Sequence, residues 1–318
     1  MNGANRPVLC LGEALVDVVN RDGEVTEHVG GSLLNVACVI ARLGYRCAIG
    51  AWWGDDKFGK MISAYAEEHN VEIVPGSDHA ERTTVAYATL DENGRASYEF
   101  DLLWDVPQLP PADELRHLHV GSIGATLEPG AQKVLQAVKQ MAIRGTVSYD
   151  PNARPAIMES PELVRDRIES IIALSDLVKA SDEDIQWLYP ERPVEDVMRH
   201  WLSLGAGMVV ATRGPWGAYA MLSSERDMLV IDPLNIEMVD TVGAGDSFMG
   251  GLISGLLDAR LLGGAEAKNA LRQARWADVQ TALHRATITS GLTVSHSGAY
   301  APTYDDVAQV LAANPKLH

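Results

Sequence analysis

Six short runs constrain this chain most: Val8 to Leu11, Cys47 to Gly50, Leu118 to Gly121, Thr146 to Tyr149, Leu177 to Ala180 and Met208 to Thr212. They are close to continuously apolar, the pattern of strands buried on both faces of a sheet. Segments with apolar recurrence near 3.6 lie between and after them: Leu33 to Leu43, Lys57 to His69, Ala131 to Ile143, Leu163 to Leu174 and Val194 to Leu204, several of them stopped by glycine. Buried strands alternating with helices predict an α/β fold with a mostly parallel central sheet and helices on both faces. With 318 residues, 47% hydrophobic and 22% charged, the chain can bury a full core, and it shows no repeat or dividing linker. It reads as a single domain spanning residues 1–318.

The charge balance narrows the partners. A formal net charge of −17 repels nucleic acid and anionic membrane surfaces, so neither is expected to bind. A small anion can still be held locally by backbone amides. Cys10, Cys38 and Cys47 form neither a pairable framework nor a zinc spacing, and no apolar stretch reaches membrane-spanning length. A soluble, cytoplasmic protein is the expectation.

Two stretches, 14–29 and 83–103, alternate apolar with polar residues around the turns Asn20-Arg21-Asp22-Gly23 and Asp91-Glu92-Asn93-Gly94. They predict antiparallel hairpins inserted at the carboxyl ends of early strands, where a small β lid would cover a ligand site. The same pattern also suits two exposed hairpins with no gating role.

Downstream of the strand-like run Met228 to Ile231, Asp240-Thr241-Val242 leads into Gly243-Ala244-Gly245-Asp246-Ser247-Phe248-Met249-Gly250-Gly251 and the apolar helix Leu252 to Leu257. Glycines before a helix leave its first amides open, and their partial positive charge suits phosphate oxygens. A carboxylate in the first turn suits proton removal from a hydroxyl, worth roughly 10²- to 10⁴-fold in rate. Spacing alone equally permits Asp246 to cap the helix, with Gly250, Gly251 and Gly255 serving close packing. The segment has neither the Lys-Ser/Thr ending of a P-loop nor the last glycine of a dinucleotide fingerprint.

The segment DTVGAGDSFMGGL resembles the C-terminal signature of the ribokinase-like carbohydrate kinases, also called the phosphofructokinase B family. Gly30-Gly31-Ser32-Leu33-Leu34-Asn35-Val36-Ala37 with Ala41-Arg42-Leu43-Gly44 is similar to the family's N-terminal motif. The resemblance implies a ribokinase-like three-layer fold with a β lid, Asp246 as catalytic base, and Gly243, Ala244 and Gly245 as the anion hole. It implies sugar contacts at Asp17, Gly31 and Asn35. Thr212, Gly214 and Gly217 match the family's Thr-x-Gly-x-x-Gly turn, which lines the ATP groove, and the segment Leu283 to Gly298 is expected to help form the adenine pocket. ATP and Mg2+ are the implied cofactors, with K+ at the position of Asp240. A homodimer through the lid is implied as well.

Asp150-Pro151-Asn152-Ala153-Arg154 and Val178-Lys179-Ala180-Ser181-Asp182-Glu183 resemble patterns of fructokinases and 2-keto-3-deoxygluconate kinases. They place Asn152 and Arg154 toward substrate and Lys179 and Ser181 toward ATP, although Arg154 also suits a surface ion pair. Asp184 stands where the family has a longer acid that organises magnesium through water. A solvated helix start is the other reading of that acidic run. Glu99 and Asp101 on the second hairpin make the lid acidic, which favours a neutral sugar over an anionic one. Tyr87, Tyr98 and Phe100 are candidates to stack on it, or to pack the hairpin. The expected activity is phosphorylation of fructose, with 2-keto-3-deoxygluconate kinase, ribokinase or nucleoside kinase as alternatives. A sugar or nucleotide sensor on the same fold is the non-enzyme alternative.

Overall fold

A computed structural model describes residues 6–21, 24–90 and 96–314. The chain opens with β1 (Val8–Leu11), the hairpin β2 (Leu15–Arg21) and β3 (Glu24–Gly30), α1 (Ser32–Arg42), β4 (Cys47–Gly50), α2 (Lys57–Glu68) and β5 (Glu72–Ile73). A second hairpin, β6 (Val85–Leu90) and β7 (Ala96–Asp101), precedes β8 (His117–Gly121), α3 (Gly130–Arg144) and β9 (Thr146–Asp150). Then come α4 (Pro155–Met158), α5 (Pro161–Ile172), β10 (Leu177–Ser181), α6 (Asp182–Leu188), α7 (Val194–Leu204) and β11 (Met208–Thr212). The chain continues through β12 (Ala218–Leu222), β13 (Leu229–Ile231), α8 (Ala244–Asp258), α9 (Ala265–Gln273), α10 (Trp276–Val294) and α11 (Tyr304–Ala313).

The central sheet runs β13-β12-β11-β10-β9-β8-β1-β4-β5, parallel from β11 to β5 and antiparallel at the β12 and β13 edge. All six apolar runs form strands of it. Each residue of β1 is at most 1% exposed, which is why that strand carries no alternation. The chain winds outward from β1 to β4 and β5, then returns to place β8 on β1's other side. The strand order therefore reverses between β1 and β8, and such a switch point opens a crevice at the carboxyl edge.

The lid is a separate sheet of order β3-β2-β6-β7. Both hairpins are antiparallel as expected, and β2 pairs with β6 in parallel, joining them into one surface. The turn residues Asp22, Gly23 and Asp91 to Gly94 lie outside the described residues.

Helix α8 is buried from Asp246 to Leu257 between α1 and α10. Its glycines permit that packing: a Cβ on Gly250 would stand 2.7 Å from Val39 Cγ1, and one on Gly255 would stand 2.5 Å from Ala282 Cα. The three cysteines are buried and form no disulfide, with the Cys10 and Cys47 sulfurs 3.9 Å apart. Among the described residues no helix is long and apolar enough to cross a membrane.

Candidate active site

The carboxyl edge of the parallel strands collects the predicted residues in one row. Thr212 ends β11, Ser181 ends β10, the Asp150–Arg154 loop follows β9, and Gly12–Asp17 follows β1. Helix α8 brings its N-terminus to this edge. Its N-cap, Gly243, has φ 74°, and a Cβ there would come 2.9 Å from Ala299 Cα, so both conformation and space require glycine.

Asp246 lies in the first turn of α8 and is 9% exposed. Its Oδ1 accepts a 2.6 Å hydrogen bond from Ser32 Oγ, and its Oδ2 a 2.8 Å bond from Asn35 Nδ2. Both donors belong to α1, three residues apart on one helical face. No side chain caps α8, so the cap reading of Asp246 gives way to a carboxylate aimed across at another helix. Helix α1 begins at Gly31, φ 110°, pressed against the chain at Glu13: a Cβ would stand 2.6 Å from the Glu13 carbonyl oxygen. Asn35 Oδ1 is buried and has no hydrogen-bond partner among the described residues.

Beneath the glycine segment, Lys179 Nζ stands 2.7 Å from Asp150 Oδ2, with both side chains buried. A Cβ on Gly245 would come 3.0 Å from that ammonium, which puts the lysine's charge against the first turn of α8, where the Ala244 amide donates to the Thr241 carbonyl at 3.2 Å. Burial alone would depress Lys179's pKa, but Asp150, Asp246 and Asp184 overcome it and hold the ammonium above its ordinary value. Burial pushes Asp150 up to about 6 against the pull of Lys179. Three carboxylates around one lysine leave the cluster net negative.

Ser181 and Asp184 form a capping box at the start of α6: Asp184 N donates to Ser181 Oγ at 2.9 Å, and Ser181 N to Asp184 Oδ2 at 2.8 Å. Asp184 Oδ1 accepts from Ala153 N at 2.7 Å, tying α6 to the Asp150–Arg154 loop. Asp184 is 8% exposed and so is a buried cap, while Asp182 is half-buried and Glu183 exposed, so the solvated-helix-start reading holds for those two alone. Asn152 adopts φ 37°, and Arg154 Nη1 donates to Asn152 Oδ1 at 2.7 Å and to the Asn152 and Ala153 carbonyls. Arg154 is exposed, pairs with no carboxylate among the described residues, and its charge opposes the raised pKa of Glu13 and Asp17.

Thr212 stands beside Ser181 in the β10–β11 register, and its Oγ1 donates to the Ala180 carbonyl at 3.4 Å. The turn to β12 carries Gly214 at φ 51° and Gly217 at φ 78°, where a Cβ would strike the Ile231 carbonyl. Asp240 Oδ1 accepts from Val242 N at 3.0 Å and Oδ2 from Gly298 N at 2.8 Å, linking the entry of α8 to the turn after α10. Those amides hold its pKa below the ordinary value. A cavity of about 460 Å³ lies between β13 and α10, lined by Leu229, Ile231, Trp276 and Gln280, and from the expected adenine segment by Leu283, His284 and Thr287.

The lid register corrects one expectation. Residues directly opposite one another in a sheet share a face. Asp17 pairs with His28 on one side and Ala86 on the other, and Ala86 pairs with Phe100. Glu99 and Asp101 sit on the opposite face with Tyr87, and Arg82 neutralises Asp101 through a double contact of 2.9 and 2.7 Å. The acidic side of β7 is therefore turned away from Asp17, and Tyr87 is removed as a stacking candidate. Tyr98's side chain lies outside the described residues. Burial raises Asp17's pKa, while His28 and Arg154 oppose the shift.

Three residues at this edge were not singled out from sequence. Ser32 was legible through its i, i+3 spacing with Asn35. Asp150 ends one fully buried strand and Glu13 lies two residues past another, where burial demands a partner for each carboxylate.

A family model for "pfkB family carbohydrate kinase" matches residues 5–305. The chain belongs to this family. The kinase is 31% identical to a fructokinase of Rhizobium leguminosarum bv. trifolii over 269 residues, 80% of this chain and 81% of the relative. A fructokinase of Klebsiella pneumoniae is likewise 31% identical, over 79% of this chain and 85% of its own length. Among solved structures, the fructokinase of Xylella fastidiosa with bound ATP superposes with TM-score 0.82 at 22% identity, covering 98% of this chain and 99% of its own. The Vibrio cholerae fructokinase double mutant, bound to fructose, ADP and potassium ion, gives TM-score 0.77 at 26% identity, covering 96% and 98%. The kinase is thus an ATP-dependent sugar kinase of the ribokinase-like fold.

Proposed function

We propose that this kinase is a fructokinase, transferring the γ-phosphoryl group of ATP to a hydroxyl of fructose, with Asp246 as general base. The observation that carries the reading is the orientation of Asp246 by Ser32 and Asn35 at an open helix N-terminus backed by Lys179. In this reading Asp246 takes the hydroxyl proton as the oxygen attacks phosphorus. The amides of Gly243, Ala244 and Gly245, with Lys179 beneath them, meet the charge shared by the phosphoryl oxygens. Asp17 and Asn35 fix the sugar, and a sugar hydroxyl supplies the donor that Asn35 Oδ1 lacks among the described residues.

ATP lies along Ser181, Thr212, Gly214 and Gly217, with adenine toward the groove between β13 and α10. Magnesium would arrive with ATP as counter-charge to the phosphates, with Asp150, Asp184 and Asp246 adding negative charge nearby; among the described residues no three acidic, histidine or cysteine side chains converge to hold a metal directly. Asp184's oxygens already accept backbone amides, which suits contact through water. Asp240 orders the loops around a potassium site at the entry of α8. Exposed Val25 and Tyr87 on the lid suit a homodimer through that sheet, and a cytoplasmic location suits the buried free thiols.

The row His28, Asp17, Ala86, Phe100 contains no arginine or lysine, which supports a neutral sugar. Arg154 favours one second reading, 2-keto-3-deoxygluconate, since it is a cation that faces the same end. Purified protein with ATP and magnesium, assayed by coupled ADP release against fructose, ribose, nucleosides and 2-keto-3-deoxygluconate, decides between them. Fructose should give the highest kcat/KM, and a higher value for any other acceptor overturns the assignment.

A further inference from the structure

Glu13 occupies the switch point between β1 and β8, where both lid hairpins join the body. It is 6% exposed, yet no residue assigned above to phosphoryl transfer uses its side chain. Its Oε2 accepts a 3.1 Å hydrogen bond from Gly124 N, and the Ser122 side chain hydrogen-bonds the same carboxyl. The turn it holds is unusual, since Ser122 has φ 51°, a conformation that needs support in any residue but glycine. On the far side of that turn, the Gly124 carbonyl accepts a 2.9 Å bond from Trp104 Nε1. Trp104 is buried and lies three residues beyond the end of β7. One carboxyl thus connects the end of β1, the turn after β8 and the root of the second lid hairpin. Gly31, the start of α1, rests on the Glu13 backbone, so the first hairpin meets the same point.

We infer that Glu13 is a positioning residue for the sugar acceptor: through the Ser122–Gly124 turn and Trp104 it fixes the height of the lid row that carries Asp17 and Phe100. This rests on the sugar-kinase reading of the same site. The charged group facing Glu13 is Arg154, on the loop after β9, and Asp17 on β2 faces that arginine too; the turn after β8 contributes only the Ser122 hydroxyl and the Gly124 amide. Burial pushes the Glu13 carboxyl up to about 7, with Ser122, Gly124 and Arg154 opposing, so its charge changes within the neutral range. The ionised form draws on Arg154, and the neutral form leaves that cation to the acceptor end.

The test compares wild type, Glu13→Gln and Glu13→Ala by steady-state kinetics, with the acceptor that the wild type turns over fastest. Glu13→Ala should raise the sugar KM about 10-fold or more while the KM for ATP moves by less than about 2-fold. Glu13→Gln keeps an acceptor for Gly124 N and should restore the sugar KM to within about 3-fold, but lose the wild-type change in that KM between roughly pH 6 and 8. An unchanged sugar KM in Glu13→Ala, a parallel rise in both KM values, or a wild-type pH step in Glu13→Gln overturns the proposal. Hydrogen exchange of the protein alone gives a readout independent of which sugar is accepted. Glu13→Ala should speed exchange at residues 102–106 and 122–126 while sparing α8, and protection equal to wild type at both segments overturns the proposal even if the acceptor assignment stands.

Discussion

Asp246 on α8 and Asn35 on α1 are 211 residues apart in sequence and share a hydrogen bond of 2.8 Å between buried side chains. With Ser32 on the other oxygen, the bond fixes the carboxylate plane before any acceptor arrives, which is what a general base needs when chemistry is mostly positioning.

Asp246→Asn should therefore lower kcat by about 10²- to 10⁴-fold while leaving the dissociation constants of sugar and ATP close to wild type. The amide keeps an acceptor for Ser32 or Asn35 and removes the base. Calorimetric titration alongside the ADP assay checks it, and a variant retaining more than about a tenth of wild-type kcat would remove Asp246 from the role.

Lys179 and Asp150 form a buried pair, so removing Lys179 leaves Asp150 beside Asp184 and Asp246 with no cation against them, and removing Asp150 takes away the lysine's directly bonded partner. Lys179→Met and Asp150→Asn should each destabilise by about 3 kcal/mol or more, and the double variant should recover part of the loss. Urea unfolding of the four proteins gives the coupling energy. Additive losses would show that the two charges are not partners in solution. The Lys179 variant should also lose kcat, because its ammonium lies against the first turn of α8, where the proposed mechanism has the phosphoryl charge.

The order of strands and helices was legible because strands buried on both faces and amphipathic helices write different periods. Asp246, Asn35 and Asp17 were legible as site residues through the resemblance of their motifs to the family's; spacing alone left Asp246 open as a helix cap. What spacing could not give was pairing. Lys179 and Asp150 sit in separate motifs and meet only through the β9–β10 register. The face that Glu99 takes was beyond spacing for a related reason. A one-residue change of register turns every side chain of a strand over, and the long-range parallel pairing of β2 with β6 sets that register.

The corrected lid makes a paired prediction. Phe100→Ala, on Asp17's face, should raise the sugar KM several-fold, whereas Glu99→Ala, on the opposite face, should leave it within about 2-fold. Steady-state kinetics on both variants decides it, and the reverse order of effects would place the acidic face over the sugar.

Glu13 gives the last prediction, on stability and pH. Its folded pKa of about 7 lies above the ordinary glutamate value of 4.5, so between those pH values the native protein keeps a proton that the unfolded chain has released. Stability from this group is complete below about pH 4.5 and falls as pH rises toward 7. Glu13→Gln removes the titration, so its stability relative to wild type should improve by about 2 to 3 kcal/mol from pH 5 to pH 8. Asp150, raised by burial to about 6, titrates in both proteins and cancels in the difference. Urea melts at several pH values measure that difference directly. Curves that stay parallel would mean that the Glu13 carboxyl reaches solvent and that its place between Ser122, Gly124 and Arg154 is not maintained.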